Sequence, residues 1–296
     1  MKDILITGAS GKIGYELLKE LINSKYSITA LDLPSQESKK KLGLVSEKIK
    51  IIYGDVEDYD LVEDLIQKND IVIDFAGIMP PLANLSEKLT NSTNYIGCKN
   101  IVDAINKVNK NCLYIYPSFI SVYGNTDKNV KKLNVTSSMD DTNDYYSISL
   151  IRSEEYIKHN VKHFIIFRMP IVLTKFNYYV KHMKLNKETD FICVDDLNHI
   201  IIKSFKNRKL YRGTYNISGF KANSTDFLKL MYKHTGRLKL LNRDIYYGQY
   251  EDANIIDKYI KTEYKTMEDF FKSIKHPNYI KKALNFFKYL LIKYKL

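Results

Sequence analysis

Cysteine, long apolar runs and metal-binding spacings are scarce or missing in this sequence. Three cysteines in 296 residues are too few for a small disulfide-stabilised scaffold. No uncharged apolar run approaches the roughly 18 residues that a transmembrane helix needs, so we expect no membrane span. Neither Cys-x-x-Cys nor His-Glu-x-x-His occurs, so we expect no metal site. Nothing before the first apolar run resembles a signal peptide, which favours a cytoplasmic protein with reduced thiols.

Acidic residues are outnumbered, and the imbalance is greatest near one end of the chain. The sequence has 46 basic and 34 acidic residues, which gives a formal net charge of +12. Residues 270–296 contain seven lysines and no acidic residue. A basic helix over 279–294 can lie on an anionic membrane, but its aromatic residues at helical spacing are more typical of a packed helix. Because no nucleic-acid-binding motif or arginine stripe is present, we expect no nucleic acid partner.

Short apolar runs alternate with helical patterns through the first 168 residues. Residues 3–7 have the composition of a buried strand, and residues 12–22 place apolar side chains at helical spacing. Further strands are predicted at 26–31, 49–53, 71–75, 113–116 and 164–167, and further helices at 59–67, 89–108 and 144–159. This alternation predicts the α/β class, with a Rossmann-type doubly wound parallel sheet covered by helices on both faces.

The regular alternation ends at about residue 169. Short strands at 191–194 and 215–217 are predicted beyond it, together with a helix at 227–234 that residues 223–226 cap. We therefore expect two domains. The first is a Rossmann domain over residues 1–168, and the second is a smaller C-terminal α+β domain over residues 169–296 that covers the carboxyl edge of the sheet.

Three of the 12 glycines fall in the first turn between a strand and a helix. Their spacing is Gly-x-x-Gly-x-x-Gly. Glycine permits the tight turn and a close approach of the backbone to a pyrophosphate, and the helix N-terminus offers free N–H groups. The pattern predicts a dinucleotide site in which the contacting residues are Gly8, Ser10, Gly11, Lys12, Ile13 and Gly14.

Two aspartates follow the second and third strands. Asp32 lies 18 residues after Gly14. A carboxylate there accepts hydrogen bonds from a ribose hydroxyl and repels a 2′-phosphate, so it favours NAD over NADP. Asp55, in the pair Asp55-Val56, is a candidate partner for the adenine amino group, although a turn explains an aspartate there equally well.

Taken together, these features resemble the extended short-chain dehydrogenase/reductase family, the NAD-dependent epimerase/dehydratase group. The resemblance extends from Ile4 to about Gly219. Its motifs are Thr7 to Gly14, Asp32, Asp55-Val56, Ala76-Gly77, Asn94-x-x-Gly97-x-x-Asn100, Val122-Tyr123-Gly124, Arg168-x-Pro170-x-Val172, Phe191-Ile192-Cys193-Val194-Asp195-Asp196 and Tyr215-Asn216-Ile217.

The resemblance implies where the cofactor and the substrate bind. NAD would lie on the glycine loop and would also contact residues that follow later strands, namely Phe75, Ala76, Gly77, Tyr146 and Pro170. A small molecule, most commonly a nucleotide sugar in this family, would lie between the two domains. The family often forms homodimers, here through the helices predicted at 89–108 and 144–159.

The catalytic residues of the family are incomplete in this chain. Family members use a Tyr-x-x-x-Lys pair together with a serine or threonine. The tyrosine is the general acid/base, the lysine binds the nicotinamide ribose and lowers the tyrosine pKa, and the hydroxyl holds the substrate oxygen. Tyr146 matches the tyrosine, but Leu150 replaces the lysine and Phe119 replaces the serine or threonine. Ser118 is a candidate substitute hydroxyl, although neighbours on a strand point to opposite faces.

Two functions remain open at this point. The first is an enzyme of the epimerase, dehydratase or reductase type that transfers hydride between NAD and a substrate, with Tyr146 as a weakened acid/base. The second is a structural or redox-sensing protein that binds NAD without turnover, because Phe119 and Leu150 make the floor of the site apolar. Positioned acid/base groups contribute on the order of 10²–10⁴ in rate, so their loss is severe.

Overall fold

Seven parallel strands form the large sheet of the protein, which we describe from a computed structural model. The structure describes residues 2–126, 132–139, 142–174, 184–235, 246 and 248–273. The strands are β1 (Asp3–Thr7), β2 (Ser27–Asp32), β3 (Lys50–Tyr53), β4 (Ile71–Asp74), β5 (Leu113–Phe119), β6 (Phe164–Met169) and β9 (Gly213–Asn216). Their order is β3-β2-β1-β4-β5-β6-β9, and all neighbouring pairs are parallel, which confirms the predicted Rossmann-type sheet.

Alternate residues of the central strands enter two separate cores, one on each face of the sheet. In β1, Ile4 and Ile6 belong to one core and Leu5 to the other. In β6, Ile165 and Ile166 divide in the same way. Because both faces are covered, these strands are apolar throughout, and this is why uninterrupted apolar runs predicted them.

Helices pack against both faces of the large sheet. α1 (Lys12–Leu21) and α7 (Val194–Ser204) pack together on the face that contains Ile4. The opposite face is covered by α3 (Tyr59–Gln67), α5 (Gly97–Val108) and α6 (Tyr145–Asn160). The other helices of the described residues are α2 (Gln36–Gly43), α4 (Glu87–Thr90), α8 (Ser224–Thr235) and α9 (Met267–Ser273).

Two helical segments differ from their prediction. The single helix predicted over 89–108 is divided into α4, a π-helical segment (Asn91–Ile96) and α5. Within the π-helical segment, the Asn94 side chain accepts a hydrogen bond from Ile78 N at 2.8 Å and donates one to Ile78 O at 3.1 Å, which ties the irregular turn to the loop after β4. The sequence does not predict α2, since Leu42 is its only buried apolar residue and no apolar periodicity results.

A small three-stranded sheet follows β6. It contains β7 (Ile171–Leu173), β8 (Glu188–Cys193) and β10 (Phe220–Asn223) in the order β10-β8-β7. Phe227 of α8 and Phe270 and Phe271 of α9 pack in its core. The helix predicted at 279–294 lies outside the described residues.

The chain returns to the large sheet before it completes the small one. After β8, α7 packs on α1 and β9 pairs with β6, and only then does β10 join the small sheet. The two sheets therefore do not correspond to one cut of the chain between residues 168 and 169. The assignment of residues 1–168 to NAD and of residues 169–296 to a substrate stays a prediction.

Candidate cofactor and catalytic site

The glycine loop joins the end of β1 to the start of α1, and its backbone leaves no room for larger residues. Gly8 has φ +59°, and a Cβ there would lie 2.5 Å from the Phe75 carbonyl oxygen. A Cβ on Gly14 would lie 2.6 Å from the Gly8 carbonyl oxygen. No side chain caps the N-terminus of α1, so its first backbone N–H groups face the loop, as a pyrophosphate site requires.

Asp32 lies at the end of β2, next to this loop. Its Oδ2 accepts a hydrogen bond from Ser10 N at 2.6 Å, and its Oδ1 accepts one from Leu33 N at 2.9 Å. The structure therefore places Asp32, the residue predicted to bind the ribose, next to the glycine loop predicted to bind the phosphates. A carboxylate fixed by two backbone donors at this point suits the two hydroxyls of an adenosine ribose.

Lys41 of α2 is a neighbour of the loop that sequence analysis missed. Its Nζ donates to Ser10 O at 3.0 Å and forms an ion pair with Glu37 at 2.8 Å. Lys41 and Asp32 both contact Ser10 of the glycine loop. The cation bears on the choice between NAD and NADP, because it would attract a 2′-phosphate that Asp32 repels. Only the fold brings Lys41 to Ser10, and no sequence motif contains both residues.

Asp55 and Val56 form the turn after β3. Asp55 Oδ1 accepts a hydrogen bond from Glu57 N at 3.0 Å, and Asn100 Nδ2 donates to Val56 O at 3.0 Å. Gly54 N donates to Asp32 O at 3.0 Å, which links this turn to the end of β2. The described contacts explain Asp55 as a turn residue, and its contact with adenine stays a prediction.

The loop after β4 is fastened to the glycine loop by a buried carboxylate. Asp74, the last residue of β4, accepts hydrogen bonds from Thr7 Oγ1 at 2.5 Å and from the Tyr114 hydroxyl at 2.6 Å. Thr7 Oγ1 in turn accepts a hydrogen bond from Ala76 N at 3.1 Å. Burial raises the pKa of Asp74, while the hydrogen bonds from Thr7 and Tyr114 oppose that rise. Asp74 thus connects Thr7, just before Gly8, with the predicted cofactor residues Phe75, Ala76 and Gly77.

Tyr146 lies in the first turn of α6 and packs against Phe119. The centroids of the two rings are 6.5 Å apart. Ser149 donates to Tyr146 O at 2.6 Å and accepts a hydrogen bond from Asn94 Nδ2 at 3.1 Å, so the π-helical segment supports this turn of α6. Leu150, at the position of the family's lysine, is 5% exposed and belongs to the core. Both substituted positions are therefore apolar in the structure as well as in the sequence.

Ser118, the candidate substitute for the missing catalytic hydroxyl, has a partner inside the core. Its side chain is fully buried and donates to Glu154 Oε1 at 2.7 Å. Ser118 and its neighbour Phe119 both contact α6, Ser118 through Glu154 and Phe119 through the ring of Tyr146. The catalytic role of Ser118 stays a prediction, and its hydrogen bond to Glu154 gives the hydroxyl a partner in the core.

Arg168 is a core residue that connects several of the family-like motifs. Its guanidinium donates to Glu154 through Nη2 at 2.7 Å and to the Tyr123 hydroxyl through Nη1 at 2.7 Å. Tyr123 donates to Asn216 Oδ1 at 2.7 Å, and Asn216 Nδ2 donates to Asp252 at 2.8 Å. The Val-Tyr-Gly and Tyr-Asn-Ile motifs therefore meet in a buried polar network. Pro170 is buried between β6 and β7, and its contact with the cofactor stays a prediction.

The loop geometry fits a dinucleotide. The backbone cradle at Gly8 and Gly14 is a space that a Cβ would fill, and Asp32 and an uncapped helix N-terminus border it. Among the described residues, no group of three or more His, Cys, Asp or Glu side chains could hold a metal ion. Within the same residues, no helix combines the length and the apolar character needed to cross a membrane.

Comparisons with known proteins agree with this geometry. A family model for the NAD dependent epimerase/dehydratase family matches residues 4–182. The chain is 33% identical over 141 residues to an uncharacterised membrane protein of Methanocaldococcus jannaschii, a match that covers 45% of this chain and 39% of that protein. It is 31% identical over 153 residues to a dTDP-glucose 4,6-dehydratase of Mycolicibacterium smegmatis, covering 49% of this chain and 44% of that enzyme. The chain thus spans less than half the length of these curated relatives.

A solved structure extends the likeness over nearly the whole fold. The Bordetella bronchiseptica enzyme WbmH, crystallised in complex with NAD+, superimposes with a TM-score of 0.77. The superposition covers 93% of this chain and 97% of that enzyme, at 19% sequence identity. The glycine loop, the strand order and the family match lead to one conclusion: the chain belongs to the NAD-dependent epimerase/dehydratase family.

Proposed function

We propose that this protein binds NAD on the glycine loop and acts on a nucleotide sugar by hydride transfer, with Tyr146 as its acid/base and a reduced rate. The cradle formed by Gly8 and Gly14 next to Asp32 carries the cofactor part of this proposal. The dTDP-glucose 4,6-dehydratase among the relatives supports the substrate class. When bound, the nicotinamide would supply the hydride acceptor and donor.

The reduced rate follows from the two apolar positions. A lysine at position 150 would present a cation one helical turn from Tyr146, but a buried leucine stands there. A serine or threonine at position 119 would offer a hydroxyl, but a phenylalanine ring contacts Tyr146 instead. Since positioned acid/base groups contribute about 10²–10⁴ in rate, we expect turnover to be slower by a factor of that order than with a complete set.

Turnover in deuterated solvent tests this proposal. The purified protein is incubated with NAD and a panel of nucleotide sugars, and mass spectrometry detects epimerised or dehydrated product or the uptake of deuterium. We expect product with wild-type protein and at least a tenfold loss with Tyr146→Phe, which removes only the hydroxyl. Tyr145→Phe, on the neighbouring and more exposed residue, is the matched control and should keep full activity.

A specific contact favours a second function, NAD binding without turnover. The ring of Phe119 occupies the side of Tyr146 on which a catalytic hydroxyl would lie, so the floor of the site is apolar. Tight NAD binding with no product and no deuterium uptake would favour this function. The double variant Phe119→Ser/Leu150→Lys then discriminates further. Turnover in the variant shows that a substrate pocket exists and that only the acid/base set was lost, whereas continued inactivity supports a non-catalytic protein.

A further inference from the structure

Basic residues outnumber acidic ones at the amino edge of the large sheet, opposite the glycine loop. All seven strands of this sheet are parallel, so their first residues and the segments that precede them meet along one edge. The cations at this edge are Lys2, Lys25, Lys48, Lys50, Lys68, Lys110, Lys162, Lys203, Lys206, Arg208, Lys209 and Arg212. The carboxylates there are Asp3, Glu47 and Asp70.

Backbone and ring contacts confirm that these segments are adjacent in space. Ser27 N donates to Lys2 O at 3.2 Å, which joins the starts of β1 and β2. Arg212 N donates to Phe164 O at 2.7 Å, which joins the starts of β6 and β9. The rings of Tyr26 and Phe205, 5.6 Å apart, bring the end of α7 to the start of β2. The cations therefore form one continuous surface, which we call the basic edge.

Most charges of the basic edge are not paired with a carboxylate of the described part of the chain. Apart from Lys68, which pairs with Asp64, none of its lysines or arginines forms an ion pair with a described carboxylate. Lys25, Lys206 and Arg208 lie close together and are exposed. The Lys206 ammonium lies within hydrogen-bonding reach of the Lys25 ammonium, and this contact, together with the charges of Lys25, Lys2 and Lys203, lowers the pKa of Lys206.

We propose that the basic edge is a docking surface for an anionic phospholipid membrane. Seven strands about 4.8 Å apart give a surface roughly 29 Å wide, which can face many headgroups at once. Ten of its twelve cations are lysines, whose ammonium groups are compact point charges and not bidentate readers of bases. Docked in this way, the protein would hold the opposite edge, with the glycine loop, toward the aqueous phase.

The same surface is poorly suited to a nucleic acid. Single-stranded nucleic acids are bound by exposed aromatic rings that stack on bases. Tyr26 and Tyr211 of the basic edge are half-buried. Tyr26 packs on Phe205, and Tyr211 packs on His163 at 5.7 Å. Charge without stacking partners favours a lipid surface, and binding to RNA is therefore a contrary outcome of the test.

Flotation of the full chain with lipid vesicles tests the proposal. Vesicles of phosphatidylcholine alone are compared with vesicles that also contain phosphatidylglycerol. We expect binding only to the anionic vesicles, weakening as NaCl is raised, because salt screens exposed charges. The triple variant Lys25→Glu/Lys206→Glu/Arg208→Glu should lower binding at least about a hundredfold, since each basic residue near such a surface contributes roughly 1 kcal/mol.

A matched variant separates the basic edge from net charge. Lys88→Glu/Lys132→Glu/Lys233→Glu changes three exposed lysines elsewhere and alters the net charge equally, so it should retain binding to within a few-fold. Thermal unfolding and NAD titration establish that both variants fold. Absence of wild-type binding, equal loss in both triple variants, no loss in the first, or binding to RNA without binding to vesicles would each overturn the proposal.

Discussion

Glu154 and Arg168 form an ion pair inside the core, with the carboxylate 0% and the guanidinium 1% exposed. Arg168 Nη2 lies 2.7 Å from Glu154 Oε2, and its Nε donates to both carboxylate oxygens. Ser118 also donates to this carboxylate, so one buried side chain joins Ser118 and Arg168. It also couples α6, which carries Tyr146, to β6.

Breaking this pair should destabilise the protein strongly. Glu154→Gln keeps the side-chain shape but leaves the Arg168 charge buried without its carboxylate, and such a change costs about 3–5 kcal/mol. We expect that loss in the free energy of unfolding measured by urea denaturation. Glu155→Gln, one residue along α6 and exposed, should change the free energy of unfolding by less than about 0.5 kcal/mol. Equal small effects of both substitutions would contradict the buried-pair account.

The same pair predicts a dependence of stability on pH. Burial alone would raise the pKa of Glu154, but the hydrogen bond and charge of Arg168 outweigh it, and the pKa lies below the ordinary value of 4.5. A carboxyl group whose folded pKa is depressed stabilises the fold above its unfolded pKa and loses that contribution as pH falls through the folded value. The stability difference between wild type and Glu154→Gln should therefore be constant near neutral pH and shrink below about pH 4.5. A difference that grows on acidification would refute this assignment.

Asp74 should act on cofactor binding through the loops that it connects. The two carboxylate oxygens of Asp74 each accept one hydrogen bond, one from Thr7 and one from Tyr114. Asp74→Asn keeps only one acceptor oxygen, so one of these two hydrogen bonds is lost. We expect NAD affinity to fall about tenfold in calorimetry, corresponding to the loss of roughly one buried hydrogen bond. Asp70→Asn, just before the opposite end of β4, should leave the affinity unchanged. Retention of wild-type affinity by Asp74→Asn would show that Thr7 and Ala76 hold the loops without it.

Gly8 provides a sharper test of the cradle. Gly8→Ala would force a residue with a side chain to φ +59° and place Cβ 2.5 Å from the Phe75 carbonyl oxygen. We expect NAD binding to fall below detection and the melting temperature to drop by several degrees. Gly43→Ala is the control, since nothing lies within 4 Å of the added Cβ and φ is not positive. If Gly8→Ala binds NAD normally, the dinucleotide does not occupy this loop.

Asp32 and Lys41 together should determine the choice between NAD and NADP. Asp32→Ser removes the carboxylate that repels a 2′-phosphate and leaves Lys41 on the loop at Ser10, so NADP affinity should rise and NAD affinity fall. Lys41→Met in the Asp32→Ser background should remove the gain in NADP affinity. Calorimetric titration of both cofactors measures the ratio, and an unchanged ratio in Asp32→Ser would show that this carboxylate does not meet the ribose.

Local sequence patterns were sufficient where one segment builds the feature. The turn from β1 to α1 contains all three glycines, and the apolar runs of β1 and β6 required burial on both faces, so the fold followed from them. The π-helical segment could not be predicted from a local pattern, because it depends on the hydrogen bonds between Asn94 and Ile78. The hydrogen bond between Ser118 and Glu154 could not be predicted for the same reason, since the two residues are 36 positions apart. Lys41 and Asp74 reach the site only through long-range packing.

The position of β9 determines when the large sheet can be completed during synthesis. β6 is translated directly before β7, yet its outer partner β9 emerges only after β7, β8 and α7 have been made. Until then, the nascent chain carries an open strand edge along residues 164–169, six apolar-rich and otherwise buried positions. A chain that stops at residue 168 would keep this unpaired strand edge exposed. We expect such a chain to aggregate in the cell and not to accumulate as an independent NAD-binding unit.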